Sequence, residues 1–239
     1  MEKILLEHGG KKFLVTGEKD YHTQFGFFSA EDLKKPAGSV ISSNTGIKAT
    51  LAKASFLDTY EKIRRGAQIV PLKDLGTVIT KTGMGKDSSV VDAGSGSGAV
   101  AIYLAHIAKK VVTYELREDF YELVKGNIGK LGVTNLDIKN KDVRQGIDEK
   151  DVDVVFYDLP DPWEAIEAAH SALRPGGFLV SYSPTVPQVM DFCEHLGEKF
   201  LLLETIEILE RQWEVTKRKV RPRSQQIGHS GFLTFARKL

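Results

Sequence analysis

The sequence is poor in cysteine, in long apolar runs and in net charge, and each shortage excludes a class of protein. The single cysteine, Cys193, excludes an internal disulfide framework and a cysteine-based zinc site, so no metal is expected. No apolar run approaches the roughly 18 residues that a membrane helix needs. The first residues also lack the apolar core and cleavage site of a signal peptide. We therefore expect a cytoplasmic protein that does not associate with membranes.

The near-neutral total conceals an uneven distribution of charge. The 239-residue chain has 33 Lys and Arg against 32 Asp and Glu, a net charge of +1. Residues 69–210 carry a net charge of −9, whereas residues 211–239 hold eight basic residues and one Glu. A basic segment of this kind is typical of a surface that binds a polyanion, although a solvated pair of strands has the same composition.

The patterning predicts two regions of different architecture. Residues 1–66 combine short apolar runs with frequent turn residues, which favours a small, mostly β N-terminal domain with a connector. From residue 67 to residue 239, apolar strands alternate with amphipathic helices, the pattern of an α/β, Rossmann-like domain. We predict a seven-stranded, mostly parallel sheet with an antiparallel edge hairpin. The predicted strands are 89–93, 110–115, 136–140, 152–158, 178–182, 200–209 and 231–237, and the predicted helices are 72–84, 99–108, 117–131, 163–173 and 186–197.

A glycine loop follows the first of these strands. It reads Gly94-Ser95-Gly96-Ser97-Gly98-Ala99, after Asp92 in the strand. The spacing satisfies the dinucleotide fingerprint G-x-G-x-x-G/A, and it also satisfies D-x-G-x-G-x-G, which resembles motif I of class I S-adenosylmethionine-dependent methyltransferases. Asp92 favours the second interpretation, because a carboxylate repels a pyrophosphate and attracts the cationic aminoacyl end of S-adenosylmethionine. A merely structural turn is the third alternative.

Two acidic residues at later strand ends extend the pattern. Glu115 ends the second strand, where a carboxylate can accept hydrogen bonds from both ribose hydroxyls of either cofactor. Asp142 follows the third strand, where class I methyltransferases meet the adenine of the cofactor, although a turn or cap aspartate is also common there. The methyltransferase resemblance further implies cofactor contacts from Gln68, Leu116 and Val143.

The fourth strand ends in the most specific motif of the chain. The sequence Asp158-Leu159-Pro160-Asp161-Pro162-Trp163 resembles the D-L-P-x-P-W signature of the tRNA (adenine-N(1)-)-methyltransferase family, which acts at position 58 of the T-loop. The resemblance extends over most of the chain, from His22-Thr23 and Gln68-Ile69 to Gly228-His229-Ser230. The chain departs from the family at Pro71 and Leu72, which replace an aromatic residue and Pro. A stacking role at Pro71 is therefore in doubt.

The family resemblance implies a reaction, a partner and an assembly. The N(1) atom of a flipped adenine would attack the methyl group of S-adenosylmethionine, with Asp158 holding the exocyclic amine as the catalytic residue. In the family this aspartate can also contact the amino group of the cofactor, and the competing interpretation is a capping aspartate. The resemblance implies a tRNA partner and a homotetramer, and leaves open whether position 57 is a second target. Candidate substrate residues are His22, Leu159, Pro160, Trp163, Lys217, Arg221 and His229.

Three other functions remain open at this stage. A small-molecule or protein methyltransferase of corrin-ring or isoaspartyl type would share the glycine loop and Glu115, without needing the basic C-terminal segment or D-L-P-x-P-W. A nicotinamide oxidoreductase is disfavoured by Asp92. A non-catalytic RNA-binding subunit would be expected to lose the glycines that this chain keeps.

Overall fold

The computed structural model describes residues 3–7, 9–66, 68–225 and 227–239, and the chain divides into two compact units, Met1–Ile63 and Arg64–Leu239. The first unit contains β1 (Lys3–Glu7), β2 (Lys12–Val15), β3 (Tyr21–Thr23), β4 (Gly26–Phe28), α1 (Ala30–Leu33), β5 (Val40–Ser42), β6 (Lys48–Lys53) and α2 (Phe56–Tyr60). Four of these strands form an antiparallel sheet in the order β2-β1-β6-β5, and β3 pairs with β4 in a separate hairpin. The predicted mostly β architecture of this region is confirmed.

A buried apolar core stabilises the small sheet. In β1, Ile4 and Leu5 are buried whereas Leu6 is exposed, and Leu5 packs with Val15 and Leu51 in the core of the unit. Gly10 closes the β1–β2 turn with a φ of 98°, a left-handed conformation that glycine adopts without steric cost.

The second unit contains the predicted α/β domain. Its elements are α3 (Leu72–Thr82), β7 (Ser89–Ala93), α4 (Ala99–Ile107), β8 (Lys110–Glu115), α5 (Glu118–Leu131), β9 (Leu136–Asn140), β10 (Val152–Tyr157), α6 (Ile166–Ala172), β11 (Leu173–Ser183), α7 (Val186–His195), β12 (Phe200–Glu207), β13 (Trp213–Thr216), β14 (Lys219–Pro222) and β15 (Phe232–Lys238). The seven-stranded sheet has the order β12-β15-β11-β10-β7-β8-β9. β15 pairs antiparallel with both neighbours, and the other adjacent pairs are parallel. The predicted sheet with an antiparallel edge is confirmed.

Some boundaries differ from the prediction. The predicted helix 163–173 is divided into a 3₁₀ turn, Pro162–Ala165, and α6. β11 already begins at Leu173 and includes Pro175-Gly176-Gly177, so it starts before the predicted strand 178–182. The register of β10 against β11 shifts between Val152 and Val154, so the irregular start of this strand accommodates Pro175 and the positive φ of Gly176. Cys193 is half-buried.

Strand order determines where a site can form. In the chain, β7 is followed by β8, its neighbour on one side, whereas β10 is followed by β11, its neighbour on the opposite side. The connections that leave the adjacent strands β7 and β10 therefore run in opposite directions. Ligands of open α/β sheets bind in the crevice at the carboxyl ends of strands where this reversal occurs. The glycine loop and Asp158 both lie there. Over the described ranges, no helix has the length and apolarity to cross a membrane, and no group of His, Cys, Asp and Glu is arranged to hold a metal ion.

Candidate active site

The glycine loop and the end of β10 are in direct contact. Gly94 has a φ of 88°, and a Cβ atom at this position would lie 2.0 Å from the carbonyl oxygen of Asp158. The backbone N–H of Asp158 donates to the carbonyl of Ala93 at 3.0 Å. Only glycine permits this approach, so the contact brings the catalytic candidate and the cofactor loop together.

Glu115 holds the glycine loop from the neighbouring strand. Its carboxylate accepts hydrogen bonds from the backbone N–H of Gly96 at 3.0 Å and of Arg117 at 2.9 Å. The side chain is buried and lines the cleft described below. It therefore fixes the loop, and its role toward a ribose stays a prediction.

Asp92 lies in a buried polar cluster beside the loop. Its Oδ2 accepts a 2.5 Å hydrogen bond from the hydroxyl of Thr113, which in turn contacts the hydroxyl of Ser95 at 2.5 Å. Its Oδ1 has no hydrogen-bond partner among the described residues. Burial is the main cause that raises the pKa of Asp92 to about 7; the hydrogen bond from Thr113 opposes this shift, and the nearby charges of Asp158 and Glu115 add to it. Thr113 is a functional neighbour that sequence reasoning missed.

Asp158 lies near Asp92 of this polar cluster. Burial raises the pKa of its carboxyl to about 6. Its backbone is held by β7, and the following segment is held by α7, because the side-chain amide of Gln188 donates to the carbonyl of Pro160 at 2.9 Å. The carboxylate is therefore carried on a fixed strand end and remains mostly ionised at neutral pH.

A cleft of about 250 Å³ joins most of these groups. It brings together eight residues that the sequence predicted: Gly94, Glu115, Leu116, Asp142, Val143, Asp158, Leu159 and Pro160. It is also lined by five that sequence reasoning missed: Tyr114, Arg117, Lys141, Arg144 and Asp161. Each of these five directly adjoins a predicted position in the sequence. Closeness to a predicted strand end was therefore the one sequence signal that could have identified them.

The two ends of the cleft differ in electrostatics. Asp142 is paired with Arg144, whose Nη2 lies 2.8 Å from Oδ2, and this guanidinium holds the pKa of Asp142 below its usual range. Asp92 and Asp158, in contrast, form no ion pair within the described ranges. The arrangement directs a cationic group of a ligand toward the glycine loop and away from Asp142.

Several predicted cofactor residues do not line the cleft. Ser95 and Ser97 are buried in the loop, and the Ser97 hydroxyl has no partner among the described residues. Gly96 and Gly98 supply left-handed backbone, with φ values of 52° and 78°. Gln68 is exposed to solvent.

The predicted substrate residues are dispersed. His22 lies in the first unit, where its ring is tilted against that of Phe27 with the ring centroids 5.6 Å apart. Trp163 packs partly buried against the core of the second unit. Lys217 and Arg221 lie in the exposed β13–β14 hairpin, where Arg221 pairs with Glu214 at 3.1 Å.

His229 has both ring nitrogens engaged. Nδ1 lies 2.6 Å from the carboxylate of Glu207, and Nε2 lies 2.8 Å from the carbonyl oxygen of Pro184. Both partners raise the pKa of His229, because they stabilise its protonated form. The contacts describe a structural anchor of the loop before β15, and a substrate contact stays a prediction.

A second anchor acts on the glycine loop from α5. Asn127 is fully buried, and its amide donates to the carbonyls of Ser97 and Arg64 at 2.9 Å each. Its Oδ1 accepts from the backbone N–H of Arg64 at 2.9 Å. All of these bonds join segments at least 30 residues apart, so no local pattern predicts them.

Comparisons with known proteins agree with this geometry. The model of the family described as tRNA methyltransferase complex GCD14 subunit matches residues 58–221. The tRNA (adenine(57)-N(1)/adenine(58)-N(1))-methyltransferase TrmI of Methanocaldococcus jannaschii is 32% identical, over 98% of this chain and 94% of the relative.

Two solved structures resemble the whole chain. A SAM-dependent O-methyltransferase from Thermotoga maritima has a TM-score of 0.89 and 32% identity, covering 100% of this chain and 92% of its own. The tRNA (m1A58) methyltransferase TrmI from Aquifex aeolicus has a TM-score of 0.85 and 26% identity, covering 100% of this chain and 97% of its own. The fold is therefore that of the class I S-adenosylmethionine-dependent methyltransferases, and the chain belongs to the GCD14/TrmI family of tRNA methyltransferases.

Proposed function

We propose that this protein transfers a methyl group from S-adenosylmethionine to N(1) of adenosine at position 58 in the T-loop of tRNA. The observation that carries the proposal is the contact between Gly94 and Asp158, which brings the acidic strand end against the cofactor loop. The family supports tRNA as the substrate, and it disfavours the corrin-ring and isoaspartyl alternatives.

The residues of the cleft fit the cofactor. The glycine loop leaves a cradle without side chains, and the unpaired carboxylate oxygen of Asp92 provides negative charge at that end. Glu115 is proposed to hold the ribose, and Asp142 with Val143 the adenine, because all three line the cleft. S-adenosylmethionine bound in this orientation would supply an electrophilic methyl group.

Asp158 is proposed as the catalytic residue. N(1) of adenine already carries a free lone pair, so the target base needs no prior deprotonation. The carboxylate of Asp158 accepts a hydrogen bond from the exocyclic amine, orients the ring and stabilises the positive charge that methylation leaves on the purine. Leu159 and Pro160 line the same cleft and would contact the flipped base.

The tRNA is proposed to contact the basic C-terminal segment. Lys217, Arg218 and Arg223 are exposed on or beside the β13–β14 hairpin, where they suit phosphate contacts. His22, Trp163, Arg221 and His229 remain weaker candidates, because their side chains already contact other protein groups.

We also propose that the protein assembles as a homotetramer. The β13–β14 register aligns Trp213 with Pro222 and Val215 with Val220 on one face of the hairpin. Trp213, Val215 and Val220 are 51%, 69% and 59% exposed. A two-stranded hairpin with an uncovered apolar face is marginally stable in water, so contact with a second copy would stabilise it.

Transfer to tRNA can be tested directly. Unmodified tRNA transcripts are incubated with the protein and methyl-labelled S-adenosylmethionine, and the labelled nucleoside is then mapped. We expect 1-methyladenosine at position 58, and no label at that position in a transcript with guanosine there. A transcript with position 57 changed tests the second target. Label in protein or small molecules but not in tRNA would refute the proposal.

The role of Asp158 requires a matched pair of variants. Asp158→Ala should lower kcat by at least a hundredfold, whereas the Kd for S-adenosylhomocysteine should change little. Asp137→Asn, at an exposed position of β9, controls for general effects of losing a strand carboxylate. Near-normal turnover of Asp158→Ala would exclude this residue from catalysis.

A further inference from the structure

One side chain, Arg144, joins the two halves of the cleft. It belongs to the 3₁₀ turn Val143–Gln145 that follows β9. Its Nε and Nη2 contact the carboxylate of Asp142 at 2.8–3.1 Å, and its Nη1 lies 2.7 Å from Oε2 of Glu164. Glu164 is in the 3₁₀ turn directly after Asp158–Asp161, which we call the substrate segment. The guanidinium therefore connects the proposed adenine site with the turn at the end of this segment.

The contacts nearly saturate Asp142. A carboxylate has about four acceptor positions. Three donors of Arg144 occupy three of them: the backbone N–H, which lies 3.0 Å from Oδ1, and the side-chain Nε and Nη2. About one acceptor position remains for a ligand. Arg144 therefore fixes the orientation of Asp142 so that a single amine can complete its coordination.

The substrate segment is also attached to β7, to α7 and, through Leu159, to the core of the second unit. The N–H of Asp158 is bound to Ala93, and the carbonyl of Pro160 is bound by Gln188. Neither of these bonds involves the third strand end, where Asp142 lies. The Arg144–Glu164 ion pair connects the 3₁₀ turn directly after this segment to the proposed adenine site.

We propose that Arg144 is a positioning residue that couples occupancy of the adenine site to placement of the segment carrying Asp158, with Glu164 as its second arm. The inference rests on the proposed function. Glu164 and Arg144 are 48% and 44% exposed, and exposed pairs contribute little to stability. Loss of the pair should therefore change the geometry of the segment more than the stability of the fold.

The test is a double-mutant cycle with Glu164→Gln, Arg144→Met and the double variant. Glu164→Gln retains the Arg144–Asp142 contact, so we expect an unchanged Kd for S-adenosylhomocysteine and a kcat on tRNA that falls about five- to tenfold. Arg144→Met loses both contacts, so its Kd should rise about tenfold and its kcat should fall at least as far. In the double variant, the kcat should equal that of Arg144→Met, because the glutamate then has no arginine to bind.

Glu167→Gln is the matched control, because it removes another exposed ion pair, with Lys199, outside the cleft. A wild-type kcat in Glu164→Gln, or effects on kcat that multiply in the double variant, would overturn the coupling. Thermal denaturation shows whether each variant is folded. If the wild type binds S-adenosylhomocysteine but methylates no tRNA, the proposed function fails, whereas the Kd of Arg144→Met still tests the hold on Asp142.

Discussion

The buried carboxyl of Asp92 predicts an unusual dependence of stability on pH. Its pKa is raised from 3.8 to about 7 in the folded protein. Between pH 4 and pH 7 the folded state therefore retains a proton that the unfolded state has lost. The free energy of unfolding should fall as pH rises through this window, by as much as about 4 kcal/mol for a pKa difference of about three.

Cofactor binding should show the opposite dependence. A ligand with net positive charge favours ionised Asp92, so its binding releases the proton. As the pH increases toward about 7, the affinity for S-adenosylmethionine should increase by up to tenfold per pH unit, and above about pH 7 it should level off.

Urea denaturation of the wild type and of Asp92→Asn at pH 5, 6, 7 and 8 measures the first effect, and titration calorimetry at the same pH values measures the second. The difference between the two proteins isolates Asp92 from the histidines and surface carboxylates. Asp92→Asn should show a shallower loss of stability with rising pH and a nearly pH-independent affinity. Parallel stability curves for the two proteins would refute the reasoning.

Five further substitutions test other parts of the structure. Gly94→Ala should abolish cofactor binding and lower the free energy of unfolding by at least about 1–2 kcal/mol, roughly the penalty of left-handed backbone alone. Gly126→Ala, in open space within α5, should instead raise the free energy of unfolding by about 0.5–1 kcal/mol. Calorimetry measures the binding, and urea denaturation measures the stability. Asp74 is buried and forms an ion pair with Lys73 at 2.7 Å. Asp74→Asn should destabilise the fold by about 3–5 kcal/mol, because it leaves the largely buried ammonium of Lys73 without its carboxylate. An unchanged midpoint in urea would contradict this. Arg218→Gln and Arg223→Gln should each weaken tRNA binding and reduce the slope of log K against log salt by about one, and an unchanged slope would exclude that residue from phosphate contact.

Local patterns were sufficient for much of the fold. The alternation of apolar strands and amphipathic helices predicted the parallel sheet, because each element must bury one face against the next. The glycine loop and D-L-P-x-P-W were recognisable because backbone approach and rigid turns demand particular residues at fixed spacing. The contact between Gly94 and Asp158 then follows from strand order.

The sequence by itself therefore determined the architecture, the glycine loop and the family. The tertiary structure decided which polar groups meet: Thr113 with Asp92, Asn127 with Ser97, Arg144 with Glu164, and Ser230 with Asp74. These partners lie 20 to 156 residues apart. Periodicity records only which face of an element is buried, whereas the pairing of distant side chains depends on the packing of whole elements, so it becomes visible only in the folded chain.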